Sequence, residues 1–278
     1  MYNLRYHIAS LAGVFIALSL GLLLGTIVSE RGTLDDQRDT MINKLEQDFV
    51  ELSQRNNELA SENEARADFV NAVVPVLVAG SLADKDVVVI ANAGRSDGLA
   101  AVEQAITDAG GIPRVVTLVE PGLALQEQHV IDALSAFTFT GTDLMRSVAA
   151  SLAVEWVGGA ADRPVSDALS AAGVLRIDDL PAGTSVEALV CLAAWEQRPD
   201  TLAVSIARAV SDLGLPAAGA QAMSLDTGMA LAAVDAGLSA VDQMGRPEGA
   251  YALAKVLSGE ASGYFGTGTR AVAPFPRP

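Results

Sequence analysis

Residues 8–28 carry no charged side chain, and this stretch limits what the chain can become. As a helix rising about 1.5 Å per residue it covers roughly the 30 Å hydrocarbon core of a bilayer. Its only polar interruptions are Ser10, Ser19 and Thr26, whose hydroxyls can bond back to carbonyls of their own helix. A core helix of a globular domain is usually amphipathic, whereas this one is apolar all round. It is longer than a signal-peptide core, and no A-x-A pattern follows it, so residues 1–29 read as an uncleaved transmembrane anchor. Orientation rests on the near flanks. Arg5 precedes the segment while Arg31 and Arg38 follow it, so the short N-terminus decides for a cytoplasmic amino end and an extracytoplasmic remainder.

Charge is segregated along the chain. All 34 acidic residues lie beyond residue 29, and the formal net charge of the whole is −16. So acidic a surface offers nothing to release counterions from a phosphate backbone, and nucleic acid is excluded as a partner. One cysteine, Cys191, excludes an intramolecular disulfide framework and a zinc knuckle.

Small residues recur every four positions within the anchor, at Ala9, Gly13, Ala17, Gly21 and Gly25. Gly21 and Gly25 form a GxxxG pair, whose missing side chains allow two helices to approach closely. From 30 to 73 the composition turns abruptly to Asp, Glu, Gln, Asn and Arg with sparse large apolar residues. Leu45, Leu52 and Leu59 are seven apart. With these at d, Ile42, Phe49, Asn56, Asn63 and Val70 fall at a, and Arg38, Arg66 and Val73 complete d. Leu at d with Asn at a is the pattern of a parallel two-stranded coiled coil, in which buried Asn pairs fix register at a cost in stability. A solvated helix packing one stripe on its own domain would leave a similar pattern. So would a heterodimer with another anchored chain.

Beyond 73, with Pro75 at the join, short apolar runs alternate with helix-length amphipathic stretches. Residues 87–91 (VVVIA) are continuous and β-branched, as for a strand covered on both faces. A polar loop over 92–98 leads to a helix over 99–109, stopped by Gly110-Gly111, and then to a strand over 115–119. Such a β-loop-α-turn-β unit is a right-handed parallel crossover. Further helices are expected over 127–136, 142–157, 164–172, 201–213, 226–236 and 247–258. Further strands are expected over 174–177, 188–193, 219–222 and 238–241, with 120–170 forming a helix-rich insertion or cap. The fold class is therefore α/β, an open, doubly wound and mostly parallel sheet with flanking helices. The domains are an anchor (1–29), a coiled-coil stalk (30–73), an extracytoplasmic α/β domain (74–265) and an extended tail (266–278) with three prolines in its last eight residues.

Catalytic signatures are missing from the sequence: there is no G-x-S-x-G, H-E-x-x-H, P-loop or C-x-x-C. His7 and His129 are the only histidines, and neither has a recognisable partner. The chain is read as non-enzymatic, with no cofactor. The candidate ligand-binding element is the loop after the first strand, where open α/β sheets bind ligands. There Asn92, Gly94, Arg95 and Asp97 supply donors, acceptors and close backbone approach. Glu196, Ser224 and Asp226 would reach the same edge, with Ser224 or Asp226 expected to cap the following helix; Asp178-Asp179 could hold a cation but is expected to begin a turn, and Trp156 and Trp195 are expected to pack. Copper(I) favours thiolate and thioether ligands. Met223, Met229 and Cys191 could meet only if the fold converges them, and ordinary core packing is expected instead.

The N-terminus, 2–18 (YNLRYHIASLAGVFIAL) followed by Gly21 and Gly25, resembles the actinobacterial copper transport protein B family. The likeness continues through the stalk, the strand over 87–91, the turn Asp108-Ala109-Gly110-Gly111 and Gly263-Tyr264-Phe265-Gly266 before the tail. The resemblance implies a cell-envelope protein connected with copper homeostasis and export, described in that family as a pore-like outer-membrane component, with copper possible as a bound metal but no ligands assigned. A homodimer through Gly21, Gly25, Leu45, Leu52, Asn56, Leu59 and Asn63, or another envelope protein in its place, is the expected partnership. A scaffolding protein or a small-ligand module are the alternatives.

Overall fold

The computed structural model describes residues 4–93, 98–119, 124–139, 143–192, 201–223 and 228–277, with the backbone alone for Leu4, 28–39 and Thr201. The chain divides into two compact units, Met1–Arg66 and Ala67–Pro278.

The first unit is helical. Helix α1 (Leu4–Val78) contains an apolar span, Arg5–Ile27, of 23 residues with mean hydropathy 2.3. Thr26 donates to the Leu23 carbonyl at 3.0 Å, as the sequence reading expected of the hydroxyls in this span. Ile42, Leu45, Phe49, Leu52 and Leu59 are all exposed, so no described residue of this chain covers the heptad stripe.

The second unit is a three-layer α/β/α sandwich. It begins inside α1, because Val70, Val74 and Val78 pack into one of its cores. The helix runs through Pro75, which the sequence reading placed at a join. Burial of Val74 and Val78 on either side of the proline holds this last turn in place.

After α1 come β1 (Asp86–Asn92), α2 (Leu99–Asp108), β2 (Ile112–Leu118), α3 (Gln128–Leu134), α4 (Leu144–Val157), α5 (Pro164–Ala171) and β3 (Leu175–Ile177). Then follow β4 (Ala188–Leu192), α6 (Thr201–Asp212), β5 (Ala217–Ala220), α7 (Met229–Asp235), β6 (Ser239–Val241), α8 (Pro247–Leu257) and β7 (Tyr264–Phe265). The sheet order is β3-β2-β1-β4-β5-β6-β7, parallel throughout except that β3 runs antiparallel to β2. The sheet is open, with β3 and β7 at its edges.

Alternation along the buried strands feeds two cores. Val88, Ile90, Leu189 and Cys191 face α3 to α7, while Val87, Val89, Ala188 and Val190 face the end of α1, α2 and α8. Crossovers on both faces make the sheet doubly wound, with its switch point between β1 and β4. Residues 217–220 form β5, earlier than the expected 219–222. Alanine and glycine have little β-propensity of their own, so pairing with β4 and β6 sets the span. β7 was not expected at all. Two residues suffice there because the tail closes over them: Val272 N–H donates to Tyr264 O, and Gly266 N–H donates to Ala273 O.

Candidate functional site

The switch point lies at the carboxyl end of β1, where Asn92 closes the strand. By alternation Asn92 shares the face of Val88 and Ile90 and is buried, yet neither atom of its amide has a hydrogen-bond partner among the described residues. Two strands away, Gln221 follows β5 at the same edge and is also buried. Its Oε1 accepts from Ala230 N–H at 3.1 Å, leaving Nε2 without a partner. Unpaired buried amide atoms are costly, so their presence on two side chains at one edge singles it out. Gly98, the residue before α2, has φ of 85°, and a Cβ there would meet Ala222 Cβ at 3.3 Å. This brings the turn before α2 against the residue that follows Gln221, across the end of β4.

Of the four expected ligand residues, Asn92 therefore stands at the switch point. Gly94, Arg95 and Asp97 lie outside the described residues, as do Trp195, Glu196, Ser224 and Asp226. Asp178 and Asp179 are engaged in ion pairs. Asp178 accepts from Thr117 Oγ1 and Arg176 Nε at 2.5 Å each, and Asp179 pairs with Arg114, which also holds Asp86 at 2.6 Å. Burial pushes the Asp178 carboxyl up, but hydrogen bonds from Arg176 and Thr117 outweigh it and hold it below its ordinary value. Trp156 is buried and donates to Ser166 Oγ at 3.0 Å. His129 lies 3.2 Å from both Glu127 and the Ala172 carbonyl on an exposed surface.

Sequence reasoning missed Asp242. It follows β6 at the same carboxyl edge, fully buried, and accepts from Tyr264 Oη at 2.7 Å and from the backbone N–H groups of Thr267 and Gly268 at 2.9 Å. Gly266 has φ of 143°, and a Cβ on it would fall inside the Asp242 carboxylate. The segment 263–268 (GYFGTG) is thus shaped around one buried carboxyl group. The repeated glycines were the available signal, and their partner is more than twenty residues away. Glu155 was missed as well: it accepts from Val165 N, Ser166 N and Ser166 Oγ at 2.7–3.0 Å, closing the start of α5.

Among the described residues the soft donors are divided between two cores and the surface. Cys191 and Met229 lie in one core and Met244 in the other, while Met223 is exposed. No group of three His, Cys, Asp or Glu side chains is placed to hold a metal there either.

On the long helix, Gly21 and Gly25 have nothing within 4 Å of a built Cβ, so their backbone face is open. Leu45, Leu52, Asn56, Leu59 and Asn63 are exposed along the same helix. With an apolar span, a heptad helix and an α/β unit in order, the sequence model of the copper transport outer membrane protein family, MctB, matches residues 1–276. The chain belongs to that family. No curated protein and no solved structure matches it. Membership of MctB connects the chain with copper transport and homeostasis, and the N-terminal helix is its candidate membrane span.

Proposed function

We propose that this MctB-family chain is a non-enzymatic, single-pass component of envelope copper homeostasis, N-terminus in the cytoplasm, self-associated through its helix and carrying its α/β unit outside. Family membership supports the copper connection. The observation that carries the assembly is the uncovered stripe of Ile42, Leu45, Phe49, Leu52 and Leu59 on one helix. A monomer in water would expose this stripe at a cost of about 25 cal/mol per Å² of apolar surface. Anchoring in one bilayer makes the copies parallel, as Leu at d with Asn56 and Asn63 at a requires. The membrane is engaged by a helix, since the described sheet is open and mostly parallel rather than a closed antiparallel barrel.

Copper enters here as cargo, and no step is assigned to any ligand. A deletion strain should show altered copper content and tolerance; unchanged values for both would remove the copper role. Leu45→Asn with Leu52→Asn should reduce cross-linked dimer in membranes, and an unaltered yield would remove the stalk.

The unpartnered amide atoms of Asn92 and Gln221 favour a second reading, a small-ligand module at the switch point. A metabolite and metal screen by thermal shift tests it. Any shift found should be lost in Asn92→Leu and in an Arg95, Asp97 double substitution.

A further inference from the structure

The last turns of α1 present two apolar faces, and only one has a partner. Val70, Val74 and Val78, spaced by four, pack into the α/β core. Phe69, Val73, Val76 and Leu77 follow the i, i+4, i+7, i+8 spacing of another helix face. Phe69 is 69% exposed, Val76 75% and Leu77 57%, with Val73 half-buried between them. No other described helix of the α/β unit exposes three large apolar side chains so closely spaced.

The heptad register says what covers this face. Counting from Leu45, Leu52 and Leu59 at d, Phe69 and Val76 fall at g, Val73 at d and Leu77 at a. In a parallel pair a and d form the seam and g flanks it. Val70 at a and Val74 at e are taken by the chain's own core, so a second helix here is left the g, d and a positions. Residues 69–83 contain no charged side chain, whereas 30–68 hold eleven acidic and five basic residues. Two identical copies can meet at 69–77 without like-charge repulsion. Parallel anchored chains also bring each residue level with its own counterpart, as a twofold contact requires.

We infer that Phe69, Val73, Val76 and Leu77 form a self-association patch against the same patch of a second copy, joining two α/β units directly. This deepens the self-association proposed above and rests on that reading for its parallel partner. Cys191 is fully buried, so an introduced cysteine is the accessible thiol. The experiment compares full-length Val76→Cys and Leu52→Cys in native membranes, treated with a short bis-maleimide. Both should be captured as covalent homodimers to similar extents. Capture of Leu52→Cys alone overturns the patch and leaves the stalk standing. Capture of neither overturns both, and linkage of Val76→Cys to a different polypeptide overturns the second copy as occupant. In detergent, Phe69→Asp with Val76→Asp should weaken dimerisation at least about tenfold, roughly 1.4 kcal/mol. An unchanged dissociation constant overturns the patch even where cysteine capture succeeds.

Discussion

The two ends of the central sheet treat polar side chains differently. At the amino end of β1 and β2, Asp86, Arg114 and Asp179 form a continuous ion-pair chain, and Glu187 accepts from the Asp86 N–H at 2.7 Å. Further along β2, level with Ala91, Thr117 donates to Asp178, which also pairs with Arg176 on β3. At the carboxyl ends of β1 and β5, Asn92 and Gln221 keep amide atoms without a partner among the described residues, while Asp242 after β6 is fully engaged. A closed polar network rigidifies, while unpaired buried groups leave interaction capacity unused. The contrast separates an end whose polar groups are paired from one that keeps unused hydrogen-bonding atoms, with Asp242 tying down the tail.

Breaking that tie should have the largest effect. Asp242→Ala leaves the Tyr264 hydroxyl and two backbone N–H groups without their acceptor, and should cost about 3 kcal/mol or more in urea unfolding of the full-length protein. Gly266→Ala should approach the same loss, because its Cβ displaces the carboxylate. A loss under about 1 kcal/mol in both would show that the tail does not depend on this carboxyl group.

At the amino end, Arg114→Met should cost about 1 kcal/mol, since its pair with Asp86 is only partly screened by solvent. Asn92→Leu should be close to neutral or raise the melting temperature slightly, because it removes an unpaired buried amide. If Asn92→Leu destabilises as much as Arg114→Met, the contrast between the two ends collapses. The smallest effect concerns acid. The folded Asp178 carboxyl lies below its ordinary value, so its stabilisation is present above the unfolded value near about 3.9 and fades as pH falls through the folded one. Asp178→Asn should flatten that acid limb in a stability–pH profile, and an unchanged slope would remove Asp178 as its source.

How far this was legible differs between the regions. The strands expected over 87–91 and 188–193 and the turn at Gly110-Gly111 were readable because buried parallel strands write continuous apolar runs. The placement of Asn92 followed from the loop's position after the first strand. Gln221 was not readable, because the short Ala-Gly strand before it carries little signal and its span is set by neighbours. Asp242 was invisible for a different reason: a lone acid after a three-residue strand looks like any turn until the tail returns to it.

By itself the sequence determined the apolar span, the heptad spacing of Leu45, Leu52 and Leu59, and the alternation of strands and helices. These are local periodicities, written within a few turns of chain. Only the tertiary structure decided the order β3-β2-β1-β4-β5-β6-β7, and with it the switch point between β1 and β4. It alone gave Val70 and Val74 to the chain's own core while Phe69 and Val76 stayed exposed, although all four stand in one uncharged stretch of the same helix. Which face of a helix is covered depends on what arrives from elsewhere in the chain, and hydrophobic burial has no direction until those elements meet.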